Sequence, residues 1–143
     1  MNNDRYEEEL RSLPDACASF AARRLARVLS SIYDKALLPT RLNSAQFSLL
    51  AVLRRCGDVQ LVQLANLLDL ERTTLTRNIA VLQKDGLARV VKGSGDARTR
   101  IISITPSGEQ RLALALPLWR TIQAEVDAEL VIGKLSEIGV TGM

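Results

Sequence analysis

The stretch from Leu61 to Thr105 contains four patterns in a fixed order, which restricts the fold more than any other feature of the chain. Apolar residues with helical spacing occupy Leu61–Leu68, and the polar run Glu71–Asn78 leads into a second apolar series that closes at Leu87. Two β-rich runs with a polar loop between them follow. Helix, turn, polar-faced helix and basic hairpin are the layout of a winged helix-turn-helix, which mainly serves to present a helix to the DNA major groove.

Long helices are predicted on both sides of this stretch. The first begins near Pro14 and runs to about Leu37, after a frayed polar segment over residues 1–13. Its apolar positions have the spacing of an amphipathic helix; they are Cys17, Phe20, Leu25, Val28, Leu29, Ile32 and Ala36. The last long helix has Thr105 as N-cap and runs to about Leu130. Two such helices indicate a subunit interface built from both termini.

We therefore predict a mainly α fold with a small β wing, in which long N- and C-terminal dimerisation helices flank a winged helix-turn-helix. Residues 1–40 form the first dimerisation helix, residues 41–105 the DNA-binding domain, and residues 106–143 the C-terminal dimerisation helices. Inside the middle domain a helix is predicted to open at Asn43, because Gln46 lies three residues on, as in a capping box.

Positive charge is concentrated in the same central stretch. The 143-residue chain has a net charge of only +3, with 47% apolar and 24% charged residues. Residues 71–105 alone contain seven Lys/Arg against three acidic residues, a net +4. A localised basic patch is the expected footprint of a phosphate-binding surface, although this charge taken alone also fits a solvated basic face.

The cysteine and histidine content excludes several functions. The chain has two cysteines, Cys17 and Cys56, and no histidine, which excludes a Cys/His zinc site and a His-based catalytic triad. Two cysteines do not make a disulfide scaffold, so we expect a reducing compartment. The polar, acidic N-terminus is unlike a signal peptide, and no apolar run approaches the ~20 residues of a membrane span. We expect a cytoplasmic protein without catalytic activity, cofactor, metal or membrane partner.

A helical wheel divides the helix after the turn into a buried and an exposed face. At about 100° per residue, Leu75, Ile79 and Leu82 share the buried side. The opposite side carries Thr73, Arg77 and Lys84, with Thr74 beside them. Arginine can donate two hydrogen bonds to guanine, and threonine can contact a phosphate, a base edge or a thymine methyl group. This face suits a recognition helix, and an ordinary solvated face is the alternative.

The hairpin formed by residues 88–92 and 99–105 carries the second candidate contact region. Asp96 and Arg98 lie at its tip, where the negative potential of a minor groove would attract the guanidinium of Arg98. Asp96 could hold Arg98 in position by a charge-assisted hydrogen bond. Lys92 and Arg100 on the arms suit phosphate contacts, and the solubility of an exposed loop is the alternative explanation for each.

Several motifs together resemble the MarR family of bacterial transcriptional regulators. They are Leu42-x-x-x-Gln46-Phe47-x-Leu49-Leu50, Leu67-x-x-Leu70-Glu71-Arg72-Thr73-Thr74-Leu75-Thr76-Arg77, Leu82-x-x-x-Gly86-Leu87, Asp96-x-Arg98 and Ile104-Thr105-Pro106-x-Gly108. The resemblance covers roughly residues 15–130, and the Asp-x-Arg wing followed by Thr-Pro-x-Gly is fairly specific.

The resemblance implies a homodimer with intertwined terminal helices that represses, or occasionally activates, transcription at a palindromic operator in double-stranded DNA. It also implies contact residues in both grooves. Those in the major groove are Thr73, Thr74, Arg77 and Asn78, and Arg98 lies in the minor groove. The chain departs from the family at Gln60, where Ser or Thr is usual, and after Gly133, where only residues 134–138 could continue a helix. The dimer would then depend more on the first helix and on the long helix that begins after Thr105.

Two alternatives to this function remain open from the sequence. Some family members sense organic peroxides through a cysteine near the start of the first helix, where Cys17 lies. Oxidation of its thiolate would separate the two DNA-binding units, but no histidine can activate it, and cysteine on an apolar stripe is commonly a small hydrophobe. Small aromatic acids are other effectors that the resemblance implies. The second alternative is a winged-helix protein-interaction module that does not bind DNA.

Overall fold

The fold is mainly helical with one small sheet, in a computed structural model that describes residues 3–95, 98–126 and 133. The helices are α1 (Asn3–Ala16), α2 (Ala18–Leu37), α3 (Ser44–Cys56), α4 (Leu61–Leu68), α5 (Arg72–Lys84) and α6 (Pro106–Glu125), with a 3₁₀ turn at Leu38–Thr40. The strands are β1 (Val59–Gln60), β2 (Ala88–Lys92) and β3 (Arg100–Ile104). This architecture confirms the predicted fold class.

The amino-terminal segment differs from the prediction in two respects. Residues 3–13 are helical rather than frayed, and the expected single helix is broken at Cys17, whose φ of −84° and ψ of 110° are extended. Glu, Arg and Leu favour helices, and an i,i+4 pair joins Arg5 Nε to Glu9 Oε1 at 3.0 Å. Polarity was therefore a poor guide to fraying here, because the residues of α1 are polar and helix-forming at once.

A capping box starts α3, as the sequence predicts. The Asn43 side chain accepts a hydrogen bond from the Gln46 N–H (2.8 Å), and the Gln46 side chain accepts one from the Asn43 N–H (2.9 Å). Asp34 of α2 accepts a further bond from the Ser44 N–H at 2.6 Å. These bonds satisfy N–H groups that have no partner inside the helix, and the Asp34 bond ties the start of α3 to α2.

Replacing Asn43 by alanine is expected to lower the free energy of unfolding by about 1 kcal/mol, since the cap of α3 loses its side-chain acceptor. Chemical denaturation followed by circular dichroism measures this change. Asn66→Ala is the matched control, because Asn66 is exposed within α4, where alanine is the better helix former. Equal stability of the Asn43 variant and wild type would contradict the role of the cap.

The hydrophobic core lies where α3, α4 and α5 meet the inner face of the sheet. Its largest fully buried side chains are Leu37, Leu50, Leu53, Leu64, Leu75, Leu82, Leu87 and Ile102. Only Phe47 and Trp119 supply an aromatic contact among the described residues, with ring centroids 6.1 Å apart. The core is therefore built mainly from aliphatic side chains, and α5 packs against it along one side.

The sheet has the strand order β1-β3-β2 and is antiparallel throughout. Val90 of β2 and Val59 of β1 both pair with Ile102, which is fully buried. Ser103, on the opposite side of β3, is also buried, and its hydroxyl donates to Asp58 Oδ1 at 2.5 Å. The short strand β1 thus forms the third strand of the sheet, beside β3.

The last described helix, α6, starts as predicted but ends earlier. Thr105 caps it by accepting from the Gly108 N–H at 3.1 Å. The helix ends at Glu125 rather than near Leu130, because Val126 is extended (φ −93°, ψ 130°), a conformation that suits its β-branched side chain. The expectations for residues 127–132 and 134–143, including the short helix after Gly133, lie outside the described residues.

The helix α6 returns along the amino-terminal half of the chain. Tyr33 Oη of α2 donates to Gln123 Oε1 at 2.5 Å, and Arg111 Nη1 donates to the carbonyl of Thr40 at 3.0 Å. These bonds hold α6 against α2 and the turn that follows it. The amino-terminal and carboxyl-terminal parts of one chain therefore pack against each other through α2 and α6.

Candidate nucleic-acid interface

The turn between α4 and α5 sets the direction of the second helix. Asp69 ends α4 with a left-handed backbone (φ 50°, ψ 43°), and the Leu70 N–H donates to the Ala65 carbonyl at 3.0 Å. Aspartate adopts this conformation more readily than most residues. At the start of α4, where Gln60 stands in place of the usual Ser or Thr, the Gln63 side chain accepts a bond from the Gln60 N–H at 3.3 Å. This bond satisfies one backbone N–H group at the entry of the helix-turn-helix.

The helix α5 has one fully buried side and one exposed side, as the wheel predicts. Leu75, Ile79 and Leu82 are 0%, 4% and 0% exposed. The side chains predicted to contact DNA from this helix are exposed at Thr73, Thr74, Arg77 and Lys84 and half-buried at Asn78. The Thr76 hydroxyl donates to the Arg72 carbonyl at 2.7 Å. Two threonines and one arginine therefore project from the first two turns of a helix that is firmly attached to the core.

The wing brings its basic residues to the same end of the molecule as the start of α5. Its arms close where the Gly93 N–H donates to the Thr99 carbonyl at 3.0 Å. Lys92, Arg98 and Arg100 are all exposed. Asp96, the predicted partner of Arg98, lies outside the described residues. Arg100 lines a surface depression together with Arg72 of α5, so this part of the wing and the helix lie side by side.

A close contact between α6 and the end of α5 holds the wing in position. The Thr105 hydroxyl donates to the Gly86 carbonyl at 2.6 Å, and the Thr105 N–H donates to the Leu87 carbonyl at 3.1 Å. A Cβ atom added at Gly108 would lie 2.1 Å from the Leu87 carbonyl oxygen. Only glycine allows this approach. Gly108 is part of the Thr-Pro-x-Gly motif of the sequence, but only the fold shows why this position must be glycine.

Two exposed basic residues of the central stretch escaped the candidate set drawn from the sequence. Arg72 is the first residue of α5 and is exposed, and Arg89 is exposed on β2. Both were counted in the basic patch without an individual role. The signal that could have singled out Arg72 is its position at the helix start, directly before Thr73.

Both cysteines lie outside α5 and the wing. Cys17 is half-buried between α1 and α2, and Cys56 is exposed in the last turn of α3. Within residues 3–95, 98–126 and 133, no group of His, Cys, Asp and Glu side chains could hold a metal ion. No helix in that described part is long and apolar enough to cross a membrane.

Comparison with known proteins assigns the fold to a family. The MarR family model matches residues 42–99, from the start of α3 to the wing. The M. tuberculosis transcriptional regulator MosR, solved in complex with DNA, is 43% identical; the alignment covers 86% of this chain and 93% of that chain, with a TM-score of 0.79. The chain belongs to the MarR family of transcriptional regulators.

Two further solved structures are similar to this chain. A second structure of M. tuberculosis MosR is 41% identical, with a TM-score of 0.76 over 88% of this chain and 95% of that chain. A probable transcriptional regulator from Pseudomonas aeruginosa is only 22% identical but has a TM-score of 0.75 over 87% of this chain and 98% of that chain, which shows the shared fold. No curated protein sequence matched. The predicted resemblance to the MarR family is confirmed.

Proposed function

We propose that this MarR-family protein binds a palindromic operator in double-stranded DNA as a homodimer and represses transcription there. The observation that carries the proposal is the exposed face of α5, which carries Thr73, Thr74 and Arg77. The opposite face of the helix is buried in the core, and the basic wing lies beside the helix. The 43% identical MosR was solved with DNA, which supports the same partner for this chain.

In this proposal α5 enters the major groove. Its 13 residues make a helix about 20 Å long, and a major groove about 12 Å wide admits an α-helix. Arg77 would donate two hydrogen bonds to a guanine, and Asn78, half-buried at the edge of the face, suits an adenine. Thr73 and Thr74 would contact phosphates or thymine methyl groups, and Lys84 would reach a phosphate from the far end of the helix.

The wing would follow the adjacent minor groove. Arg98 is exposed near its tip and suits the negative potential of a narrow minor groove. We propose that Asp96 orients Arg98, and that Lys92 and Arg100 contact phosphates. Backbone contacts of this kind fix the position of the protein on the duplex, whereas the contacts of α5 supply sequence preference.

The homodimer is supported by apolar surface on the terminal helices. Phe20, Leu25 and Val28 of α2 are 36%, 46% and 50% exposed, and Leu114 of α6 is 66% exposed. Apolar side chains grouped on one helix commonly mark an interface. We propose residues 1–40 and 106–143 as the dimerisation segments and residues 41–105 as the DNA-binding domain. A two-fold axis would then place two α5 helices about one turn of DNA apart.

Replacing Arg77 by alanine is expected to weaken operator binding roughly tenfold per half-site, because the loss of one bidentate base contact costs about 1–3 kcal/mol. The lost affinity should belong to one base pair of each half-site. Changing that base pair should weaken binding by wild type but should weaken binding by the variant little further. Arg98→Ala should weaken binding more evenly across operator variants. Gel shifts with single-base-pair operator variants measure both effects.

The control for this experiment is Arg54→Ala, which removes the same charge from an exposed position of α3 outside the proposed dimerisation segments. Unchanged affinity of both the Arg77 and Arg98 variants would exclude the proposed interface. Failure of the wild type to bind any fragment of its own upstream region at low salt would instead favour a protein-interaction module, because phosphate contacts give a steep salt dependence.

We further propose that a small-molecule or oxidant signal releases the operator. Cys17 is the candidate for an oxidant, since it lies at the break between α1 and α2, beside the proposed dimer surface. Peroxide treatment that releases DNA equally from wild type and Cys17→Ser would exclude this cysteine as the sensor.

A further inference from the structure

A concave surface lies where the first turns of α4 and α5 meet the second arm of the wing. Its polar lining consists of Gln60, Arg72, Arg98, Thr99 and Arg100, and its volume is about 290 Å³. A depression of this size is open to solvent and has room for a group as large as a phosphodiester.

The charge of this depression comes from two separate segments of the chain. Arg72 is the first residue of α5, whereas Arg98 and Arg100 belong to the wing, and all three are exposed. Three arginine side chains line the one depression, so an anion bound there would interact favourably with their positive charge. The planar fork of a guanidinium matches the oxygens of a phosphate particularly well.

The position of the depression identifies the kind of anion. It lies between α5, the element proposed for the major groove, and the wing, the element proposed for the minor groove. The part of DNA that separates these two grooves is the sugar-phosphate backbone. A backbone strand must therefore pass between the two elements when both are engaged, and an arginine-lined concave surface lies there to receive it.

We propose that this depression binds one phosphodiester of the operator backbone, with Arg72 as a DNA contact in addition to those already assigned. The proposal rests on the proposed DNA-binding function and adds a contact that carries no base information. Arg72 approaches the phosphate from the recognition helix and Arg100 approaches it from the wing, while the proposed partner of Arg98 remains the minor groove. The contact fixes the depth of α5 in one groove relative to the wing in the other, so Arg72 is a positioning residue.

The first test is the salt dependence of operator binding by the full chain carrying Arg72→Ala. Binding of a fluorescent operator duplex is measured by anisotropy between 50 and 200 mM salt. Each lost phosphate contact should reduce the steepness of log K against log salt by about 0.9. When the salt concentration rises fourfold, the affinity of the variant should therefore fall about 3.5-fold less than that of wild type for each subunit bound to DNA. At low salt the variant should bind roughly tenfold more weakly per subunit, by the same factor for every operator base change.

Two further variants separate a local contact from a general charge effect. Arg72→Lys keeps the charge and should retain the wild-type slope. Arg54→Ala removes an equal charge from an exposed position of α3, outside the proposed dimerisation segments, and should leave slope and affinity unchanged. A slope change in Arg54→Ala as large as that in Arg72→Ala would overturn the local site, as would a changed base preference in Arg72→Ala.

A methylphosphonate scan of the operator locates the phosphate. Neutralising one particular phosphate in each half-site should weaken wild-type binding. On DNA neutralised at that position, Arg72→Ala should bind as well as wild type. Wild-type binding with a steep salt slope, but without any phosphate coupled to Arg72, would overturn the site and leave the proposed function intact. A wild type that binds no DNA at low salt would overturn both.

Discussion

Replacing Leu75 by alanine is expected to lower the free energy of unfolding by about 3 kcal/mol, within the range for leucine truncation in a core. Leu75 is 0% exposed and lies in the first half of α5, in the same core cluster as Leu53 and Leu64. Its removal leaves a cavity beneath the helix face that carries Thr73 and Arg77. We therefore expect operator affinity to fall as well, because the truncated side chain no longer holds that face in one orientation.

Urea denaturation followed by circular dichroism measures the stability change from the shift of the midpoint at constant m-value. The measurements need one fixed protein concentration, because association of subunits contributes to apparent stability. Val81→Ala is the matched control, since Val81 lies on the same helix but is 44% exposed. If both variants lost the same small amount, the assignment of the buried face of α5 would be wrong.

Replacing Gly108 by alanine is expected to lower the free energy of unfolding by about 2 to 3 kcal/mol. In a helix interior this change normally stabilises by roughly 0.5–1 kcal/mol. Here the new Cβ would lie 2.1 Å from the Leu87 carbonyl oxygen and 2.8 Å from Ile104 Cγ1. The backbone oxygen cannot move aside without loosening its bond from the Thr105 N–H, so overpacking outweighs the gain in helix propensity.

The same denaturation assay measures the effect, with Ser107→Ala as control at the exposed neighbouring position of α6. Since Leu87 follows α5 and Ile104 ends β3, the overlap should also shift the wing relative to α5. Operator affinity should therefore fall in Gly108→Ala even where the protein is fully folded. A Gly108 variant as stable as wild type would show that the first turn of α6 can move away from Leu87 at little cost.

The features that the sequence predicted correctly depend on residues within one or two helical turns of each other. The capping box of Asn43 and Gln46 and the Thr105 cap require only neighbours three positions away. The buried stripe of α5 follows from the period of the α-helix. These signals were strong enough to predict the winged helix-turn-helix and the exposed positions of Thr73, Thr74 and Arg77.

The errors arose where local signals compete. The polar residues of α1 also favour helix, so the predicted fraying was wrong, and the extended backbone at Cys17 interrupts an amphipathic pattern that continues through it. The burial of Ser103 was not predicted, and its hydroxyl donates to Asp58, which lies far away in the chain. The predicted roles of the individual DNA-contact residues stay predictions until the binding experiments are done.

The sequence by itself determined the order of the elements, the family and the face of α5 that remains outside the core, because periodicity and capping act over short distances. Only the tertiary structure decided that Gly108 must be glycine and that Arg72 shares a depression with Arg98 and Arg100. Both depend on the approach of segments that are distant along the chain, and that approach is set by packing around the aliphatic core.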